Sequence, residues 1–415
     1  MAMPALWPNA VRFANLQERE FSDRAGLRID FRSVEPTGGV NSHFIECRFR
    51  EPGRPRKSED LVGVLTDEGP LSEGRRFFLI RFWLATPEGR AADPFPLGDV
   101  SRLPRLPPIV AYGLQQVLNG LPLAAVYGLV ASAYALIYGL VGRVNLAFGA
   151  FVAVGGYATV LGSGLAGPEW PRSTLLLGAA LASATAAGWG LAAARWTFLP
   201  LRNATGQQNL VASVGLALAL SEFLRLTQGP RLTWLGPLLN QPFGLAQAQG
   251  FVVTATPVAL GACAACLGVA LGLVLIMRVV SFGRRWRAFA DDPLGAELFG
   301  VDGRALYAQS FGLACGLAGL AGFVLTVVYG AVGYGASTEI GLKALVAAVL
   351  GGIGAIEGAL IGGVIVGLIE ALWSAYFPAD YRDVALYALL AILLTLRPGG
   401  ILGARETGPN LDPRT

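Results

Sequence analysis

Charged residues and histidine are scarce in this chain. Asp, Glu, Lys and Arg make up 14% of the 415 residues, about half of their usual share in a soluble domain. Histidine occurs once, at His43, and lysine twice, at Lys57 and Lys343. No stretch has the pattern GxxxxGK[ST] that cradles ATP phosphates. With 53% hydrophobic residues, these absences exclude an ordinary soluble enzyme and predict an integral membrane protein that has no catalytic residues.

Cysteine is also rare. Of the four cysteines, Cys47 stands alone near the N-terminus and the others lie in apolar runs. The spacing of Cys263 and Cys266 is that of a metal or redox pair, but both lie in GACAACLG, where small residues let helices approach closely. We therefore predict helix packing and no metal site. The net charge of +4 is ascribed to arginines that orient the chain in the membrane, not to nucleic-acid binding.

Charge is concentrated towards the N-terminus. Residues 1–108 hold 16 of the 32 basic and 15 of the 28 acidic residues. Apolar and polar residues alternate over Leu27–Phe31, Phe44–Phe49 and Phe77–Leu84, which predicts strands. We expect a small β-rich soluble domain and then a stiff proline-rich linker. With the membrane part and a polar C-terminal tail, the predicted divisions are 1–91, 92–108, 109–398 and 399–415.

The region after the linker predicts an all-α polytopic membrane protein of about eight to ten transmembrane or re-entrant helices. Nine apolar segments are long enough for this assignment or nearly so, because about 20 residues of helix cross the hydrocarbon core. The seventh is short and rich in glycine, so it is predicted to be broken or re-entrant. The segments cover residues 112–140, 146–163, 174–195, 208–227, 254–278, 305–331, 341–354, 358–377 and 383–397.

Four closely spaced arginines begin the segment between two long runs that lack Asp, Glu, Lys and Arg. The runs are residues 232–277 and 305–338, of 46 and 34 residues. An excess of positive charge stays on the cytoplasmic side of a membrane, so we predict a cytoplasmic loop over 279–303. The arginines are Arg278, Arg284, Arg285 and Arg287.

Counting crossings from this loop assigns a side to each end of the chain. Segments six to nine return the C-terminus to the cytoplasm if the seventh counts as a crossing, and segments one to five place the N-terminal domain outside. The arginines of that domain, and the absence of a signal-peptide pattern in residues 1–26, argue for the inside. Parity favours the periplasmic side, because long domains translocate regardless of charge, and both placements stay open.

Three stretches together resemble one known family. They are NGLPLAAVYGLVASAYALIYGLVGRVNLAFGAF (Asn119–Phe151), RRWRAFADDPLGAELFGV (Arg284–Val301) and GLKALVAAVLGGIGAIEGALIGGVIVGLIEAL (Gly341–Leu372). With Leu199–Arg202 between them, the likeness covers about 109–398. The chain resembles the permease subunits of branched-chain amino-acid ABC importers, the LivH-like proteins.

The resemblance implies a multi-pass subunit of the bacterial inner membrane that is not itself an enzyme. Its implied partners are a second permease, two ATP-binding subunits, which would hold the ATP, and a periplasmic substrate-binding protein. The Arg284–Val301 stretch resembles the segment through which the ATPase moves the membrane helices. Asp292 and Pro293 also favour the start of a short helix there. The predicted coupling residues are Arg284, Arg287, Ala288, Ala290, Asp291, Asp292, Pro293 and Gly300.

The chain departs from the family at one loop. After Asn145 the family usually has phenylalanine, alanine, histidine, glycine and an acid, whereas this chain has Leu146–Ala150 without histidine or acid. If the loop contacts the cargo, its surface here is more apolar, so the resemblance leaves the exact cargo open.

Polar residues and glycine breaks in the apolar region are candidates for a translocation pathway. Glycine-interrupted stretches occur over 138–149 and 351–358, where they indicate either unwound backbone lining a path or tight helix crossing. Glu370 lies deep in an apolar run, where an unpaired charge costs at least about 2–3 kcal/mol, so it should face protein or water. The tentative pathway set is Asn119, Asn145, Gly149, Gly351, Gly352, Gly354 and Glu370.

The sequence supports one main function and leaves alternatives. The main prediction is the permease subunit of an ATP-driven importer for branched-chain or related small amino acids. One alternative is import of urea or short amides by the same mechanism, and another is a self-sufficient channel or secondary carrier, for which only Glu370 is a plausible coupling group. Glu339 and Lys343, four residues apart, predict a local stabilising pair.

Overall fold

The chain forms two compact units, residues 1–112 with 236–257 and residues 113–235 with 258–415. The computed structural model describes residues 6, 12–21, 26–34, 40–49, 61–67, 69–72, 74–75, 79, 103–166, 171–202, 204–236, 243–248, 251–352, 354–397 and 399–402. Its strands are β1 Arg12–Phe21, β2 Gly26–Val34, β3 Val40–Phe49, β4 Leu61–Thr66, β5 Gly69–Pro70, β6 Thr233–Trp234, β7 Phe243–Ala248, β8 Phe251–Ala255 and β9 Ala331–Val332.

The N-terminal sheet is antiparallel, with the strands in the order β1-β2-β3-β4-β5. Alternation places one face of β2 and β3 inwards, and the buried side chains form a small core of Phe31, Ile45, Val64 and Leu79. The predicted β-rich region is confirmed, since β2 and β3 contain two of the predicted strands. The third, Phe77–Leu84, lies outside the described residues except for Leu79, as does most of the predicted linker.

A hairpin of β7 and β8 belongs to the same unit. The segment just before the first helix pairs with it: Leu106 N–H donates to Gln247 O at 2.9 Å, and Gln247 N–H donates to Pro104 O at 2.9 Å. The Gln247 side-chain amide adds a 3.0 Å hydrogen bond to Leu103 O. Residues 103–106 precede α1, and β7 and β8 precede α5. Because residues 103–106 pair with β7, the N-terminal ends of α1 and α5 lie at the same end of the bundle.

Each of the nine predicted segments falls on a helix, which confirms the all-α membrane region. Seven helices are long and apolar enough to cross a bilayer, whereas α9 and α11, with 16 and 15 residues, are shorter. The helices of the described residues are α1 Pro108–Val141, α2 Phe148–Ala166, α3 Pro171–Ala193, α4 Gly206–Gln228, α5 Pro257–Val279, α6 Ser281–Asp291, α7 Pro293–Leu298, α8 Gly303–Tyr329, α9 Ala336–Gly351, α10 Ile356–Tyr376 and α11 Arg382–Leu396.

Local sequence sets several of the helix ends. Thr205 and Gln208 form a reciprocal capping box at the start of α4, and Asp302 accepts hydrogen bonds from the backbone of Arg304 and Ala305 at the start of α8. The C-terminus of α8 is Gly330, with φ +70°, a conformation that favours glycine. These caps satisfy backbone groups that lipid cannot satisfy.

The centre of the membrane unit is a contact of α2, α3 and α8 through glycine. A Cβ built at Gly322 would overlap the carbonyl oxygen of Val152 on α2, and one at Gly319 would overlap that of Ala182 on α3. Backbones this close leave no room for any side chain. In the most apolar window of α1, 83% is buried, compared with 17% in α4, so α1 lies inside the bundle and α4 at its surface.

We expect Gly322→Ala to destabilise the protein. The added methyl group meets backbone and not a flexible side chain, so the helices must separate, at a cost of about 1–3 kcal/mol or more. Gly268→Ala on α5 is the matched control, because a Cβ there meets nothing within 4 Å. Thermal unfolding of both purified variants in the same detergent checks this, and equal melting temperatures would contradict the packing described.

Candidate functional site

The loop between α5 and α8 folds into two short helices, α6 and α7. We call residues 279–303 the coupling segment and the helix ends beside it the coupling end. As predicted, a helix begins at Pro293: Asp292 Oδ1 accepts hydrogen bonds from Leu294 N at 3.1 Å and Gly295 N at 3.0 Å. Gly300, with φ +86°, follows the end of α7 and turns the chain towards α8.

Aromatic side chains attach α6 to the bundle. Gly283, Trp286 and Phe289 recur every third residue and are buried, so one face of the helix packs inwards. The Trp286 indole donates to Leu136 O on α1 at 3.1 Å, and its ring lies where a Cβ of Gly139 would be. The spacing of three residues could have indicated a buried helix face from the sequence. The sequence prediction nevertheless named neither Trp286 nor Phe289.

Two arginines, one on each side of Trp286 in the sequence, bind the C-terminal end of α5. Arg284 donates to Val279 O at 3.0 Å, and Arg287 donates to Met277 O. Both acceptors are carbonyls in the last turn of α5, where positive charge is favourable. Arg202, from the α3–α4 connection, pairs with Glu297 of α7 at 2.8 Å. The coupling segment is thus fastened to α1, α5 and the α3–α4 connection.

Three large apolar side chains are exposed on the outer surface of the coupling segment, among charged ones. Leu294 is 74% exposed, Leu298 82% and Phe299 93%, and all three lie on or just after α7. The predicted coupling residues are all exposed except Ala290, which is partly buried. Large side chains so exposed at the end of a membrane bundle indicate a surface that another protein covers, and the sequence prediction did not include them.

The first glycine break lies at the coupling end, between α1 and α2. Asn145 is 4% exposed; its backbone N–H donates to the Tyr134 hydroxyl at 3.0 Å and its Oδ1 accepts from Ala147 N at 3.0 Å. Its Nδ2 has no hydrogen-bond partner among the described residues. The backbone of Gly149, on α2, lies where a Cβ of Gly341 on α9 would be. Asn145 thus has a buried amide nitrogen that no described residue satisfies.

The second glycine break is the turn of a helical hairpin. Gly351 of α9 and Gly358 of α10 pack backbone to backbone, and Gly352 and Gly354 have φ of +117° and +86°. Glu357 pairs with Arg278 at 2.6 Å, which places this turn at the coupling end. The contacts correspond to the tight-crossing alternative for Gly351, and a pathway role for the three predicted glycines stays a prediction.

Glu370 lies in a cluster of charged side chains at the other end of the bundle, which we call the distal end. It is 4% exposed and Lys343 is 1% exposed. Lys343 Nζ lies 3.0 Å from Glu370, 2.5 Å from Glu339 and 3.3 Å from Asp383. Glu370 therefore faces protein, as expected, and the predicted Glu339–Lys343 pair forms within a larger set than the sequence prediction contained.

Arg382 completes the cluster from the start of α11. Its guanidinium nitrogens lie 3.2 Å from Glu339 and 3.2 Å from Glu370. Helices α9, α10 and α11 each contribute at least one member. Asn119, by contrast, is exposed on α1 and accepts a 2.8 Å hydrogen bond from Gln115. The predicted pathway residues thus lie in several places: Asn145 at the coupling end, Glu370 at the distal end, and Asn119 on the surface of α1.

Comparison with known proteins identifies the membrane region. The profile of a family described as "Branched-chain amino acid transport system / permease component" matches residues 116–394. The chain belongs to this family. The match contains the coupling segment and the charged cluster, and it starts after the N-terminal sheet.

Relatives of known role match over the same region. The permease is 34% identical over 300 residues to the high-affinity branched-chain amino acid transport system permease protein LivH of Salmonella typhimurium, covering 71% of this chain and 97% of LivH. It is 32% identical over 304 residues to BraD of Pseudomonas aeruginosa, a permease protein of the same kind of system, covering 72% and 98%. No solved structure matches. The permease is a multi-pass inner-membrane protein.

We expect Lys343→Met to destabilise the permease strongly. The variant leaves Glu370 buried with Arg382 as its remaining cation, and removing one partner of a buried pair costs about 3–5 kcal/mol. Arg278→Met is the control, since the Arg278–Glu357 pair is 64% and 45% exposed and such pairs contribute about 0–1 kcal/mol. Unfolding in mixed micelles measures both, and a Lys343 variant as stable as the control would show that the buried pair contributes little.

Proposed function

We propose that this permease is the translocation subunit of an ATP-driven importer whose cargo is a branched-chain amino acid or a related small amino acid. The observation that carries the proposal is the coupling segment, which is fastened to the bundle and exposes three large apolar side chains. The chain has no phosphate-binding motif, so the energy has to come from ATP bound by partner subunits. The family and the names of the relatives support the class of cargo.

The geometry favours mechanical transmission through the coupling segment. A partner that contacts Leu294, Leu298 and Phe299 pushes on a body joined to α1 by Trp286 and to α5 by Arg284 and Arg287. Because the Trp286 contact is buried and the two arginines bind carbonyls of α5 directly, a displacement of α7 reaches α1 and α5 without being absorbed in a loose loop. The proposed coupling residues are the eight named from the sequence, with these three apolar side chains and Trp286.

The partners in this proposal are a second permease subunit, two ATP-binding subunits and a periplasmic binding protein. Reconstitution of the complete complex in vesicles tests the proposal: uptake of leucine, isoleucine or valine should require ATP and the binding protein. Uptake by the permease alone, independent of ATP, would instead indicate a channel or secondary carrier. Uptake of urea or a short amide in preference to the amino acids would move the cargo to that class.

The N-terminal domain is proposed to lie on the periplasmic side. Strands β7 and β8 lie in the connection between α4 and α5, one crossing away from the coupling segment, and residues 103–106 pair with β7. The chain therefore begins α1 at the distal end, and with the coupling segment cytoplasmic, the residues before α1 are outside. This order supports the periplasmic side that the number of crossings favours, rather than the cytoplasmic side that the arginines of the domain favour.

We expect Leu298→Ser to lower ATP-driven uptake about tenfold or more. Leu298 is 82% exposed, so its loss removes partner contact and not packing, and the central residues of an interface are worth about 2 kcal/mol or more. Leu226→Ser is a matched control, because Leu226 is 76% exposed at the distal end of α4. Uptake and folded yield are measured together. Loss of uptake in both variants, or in neither, would contradict the proposed docking surface.

We expect a membrane-impermeant maleimide to label intact spheroplasts at Cys47. This thiol is partly exposed on β3, whereas Cys263, Cys266 and Cys315 are buried. Cys47→Ser should abolish the labelling, which identifies the reacting thiol. Labelling that appears only after the membrane is permeabilised would place the domain in the cytoplasm.

A further inference from the structure

The break between α1 and α2 begins at the coupling end and reaches into the bundle. The backbone of Gly149, on the first turn of α2, lies beside Gly341 of α9. Gly341 precedes Gly351, the last residue of α9, by ten positions, about 15 Å at 1.5 Å per residue. The first turn of α2 therefore lies well inside the membrane, where non-helical backbone is tolerated only against protein or a water-filled path.

The N-terminus of α2 presents backbone N–H groups to its surroundings. The helix begins at Phe148, so its first N–H groups have no carbonyl partner within the helix and form the positive end of the helix dipole. Side chains satisfy the two N–H groups that precede it. Ser213 Oγ accepts from Leu146 N at 3.2 Å, and Asn145 Oδ1 accepts from Ala147 N at 3.0 Å. A helix start inside an apolar bundle favours an anion.

One side-chain atom beside this helix start is buried and unsatisfied. Asn145 is 4% exposed, and its Nδ2 has no hydrogen-bond partner among the described residues. The hydrogen bond from Ala147 N fixes the orientation of the amide, because an N–H group donates to the oxygen and not to the NH₂ group. Asn209 of α4 has an unsatisfied Oδ1, so the two amides do not bond to each other. Nδ2 is thus an unused donor beside the first turn of α2, and a buried donor is costly unless a ligand accepts from it.

The charge around the break is positive. Arg143, two residues before Asn145, is partly buried and forms no hydrogen bond or ion pair with any described residue. Helices α1 and α2, on the two sides of the break, contain no Asp or Glu. A guanidinium and a helix dipole with no acid on either helix attract an anion, and the attraction is stronger where water is scarce.

We propose that the start of α2 binds the carboxylate of the transported amino acid, with Asn145 Nδ2 and the first N–H groups of the helix as donors and Arg143 as a positive charge nearby. The inference rests on the proposed function, because that function makes an amino acid the cargo. A carboxylate supplies the acceptor that the buried amide lacks, and hydrogen bonds to an ionised group are stronger than those between neutral groups. The specificity is then for the carboxylate, whatever the apolar side chain.

Thermal unfolding of the purified full-length permease in an uncharged detergent tests the proposal without any partner subunit. Ligands that bind the folded state raise its melting temperature in a saturable way. The probes are L-leucine and 4-methylpentanoate, which have a carboxylate, and L-leucinamide, which has the same branched chain without one. Sodium sulfate at equal ionic strength is the control for general anion binding. We expect saturable stabilisation by leucine and 4-methylpentanoate and none by leucinamide or sulfate.

The variant Asn145→Asp replaces the unused donor with an acceptor and keeps the oxygen that binds Ala147 N. A carboxylate at a helix N-terminus is favourable, so we expect this variant to fold. The half-saturating concentration of 4-methylpentanoate should rise about tenfold or more, because the two carboxylates repel each other. Gln207→Glu makes the same change on the exposed first turn of α4 and should leave that concentration unchanged. If Asn145→Asp does not fold, the ligand series on the unaltered permease decides by itself.

Several results would overturn the proposal. They are equal stabilisation by leucinamide, an equal saturable effect of sulfate, no stabilisation by either carboxylate, and an equal response of the two variants. Because binding is measured without ATP or partners, its failure is separate from failure of the importer function. A complex that imports leucine although its permease shows no preference for carboxylates would lose this site and keep its function. Carboxylate binding by a permease whose complex imports no amino acid would instead contradict the proposed function.

Discussion

Helices in a bilayer gain little by exchanging lipid for protein, so their association depends on close van der Waals contact and on polar ties. In the permease this constraint is met by glycine at the crossings. Gly322 lies against Val152, Gly319 against Ala182 and Gly363 against Tyr127, in each case with the backbone where a side chain would be. The contacts leave room for neither lipid nor water, and they join α8 to α2 and α3 and α10 to α1.

A body packed in this way explains why the two ends of the bundle have different chemistry. At the coupling end, polar groups satisfy helix termini: arginines bind the last carbonyls of α5, and Trp286 binds a carbonyl of α1. At the distal end, the polar groups bind one another, as charged side chains of α9, α10 and α11. The first arrangement resists displacement of the coupling segment relative to the bundle. The second gathers charge in one place and ties three helices to one another.

The positions of the helices could be predicted from the sequence because apolar run length and charge placement reflect the solvent directly. The start of α7 was also predictable, since Asp292 and Pro293 act on their own neighbours. Contacts between distant residues were not predictable: Lys343 and Glu370 are 27 positions apart, and Arg278 and Glu357 are 79 apart. A single sequence shows pairs within one helix, such as Glu339 and Lys343, but it does not show which helices are adjacent. The role of each glycine likewise depends on the helix that crosses it.

The loop after Asn145 and the distal cluster both concern where the charged groups of an amino acid could be recognised. An amino acid with an apolar side chain needs recognition of its charged groups at some point along the membrane, since its side chain provides no direction. In this chain the loop of Leu146–Ala150 has no ionisable group, although Asn145 Nδ2 remains an unpaired donor at the coupling end. The buried carboxylate of Glu370 lies at the distal end, where Lys343 and Arg382 pair with it. The two ends therefore differ: the coupling end has a buried amide nitrogen that no described residue satisfies, whereas the buried charges of the distal end satisfy one another.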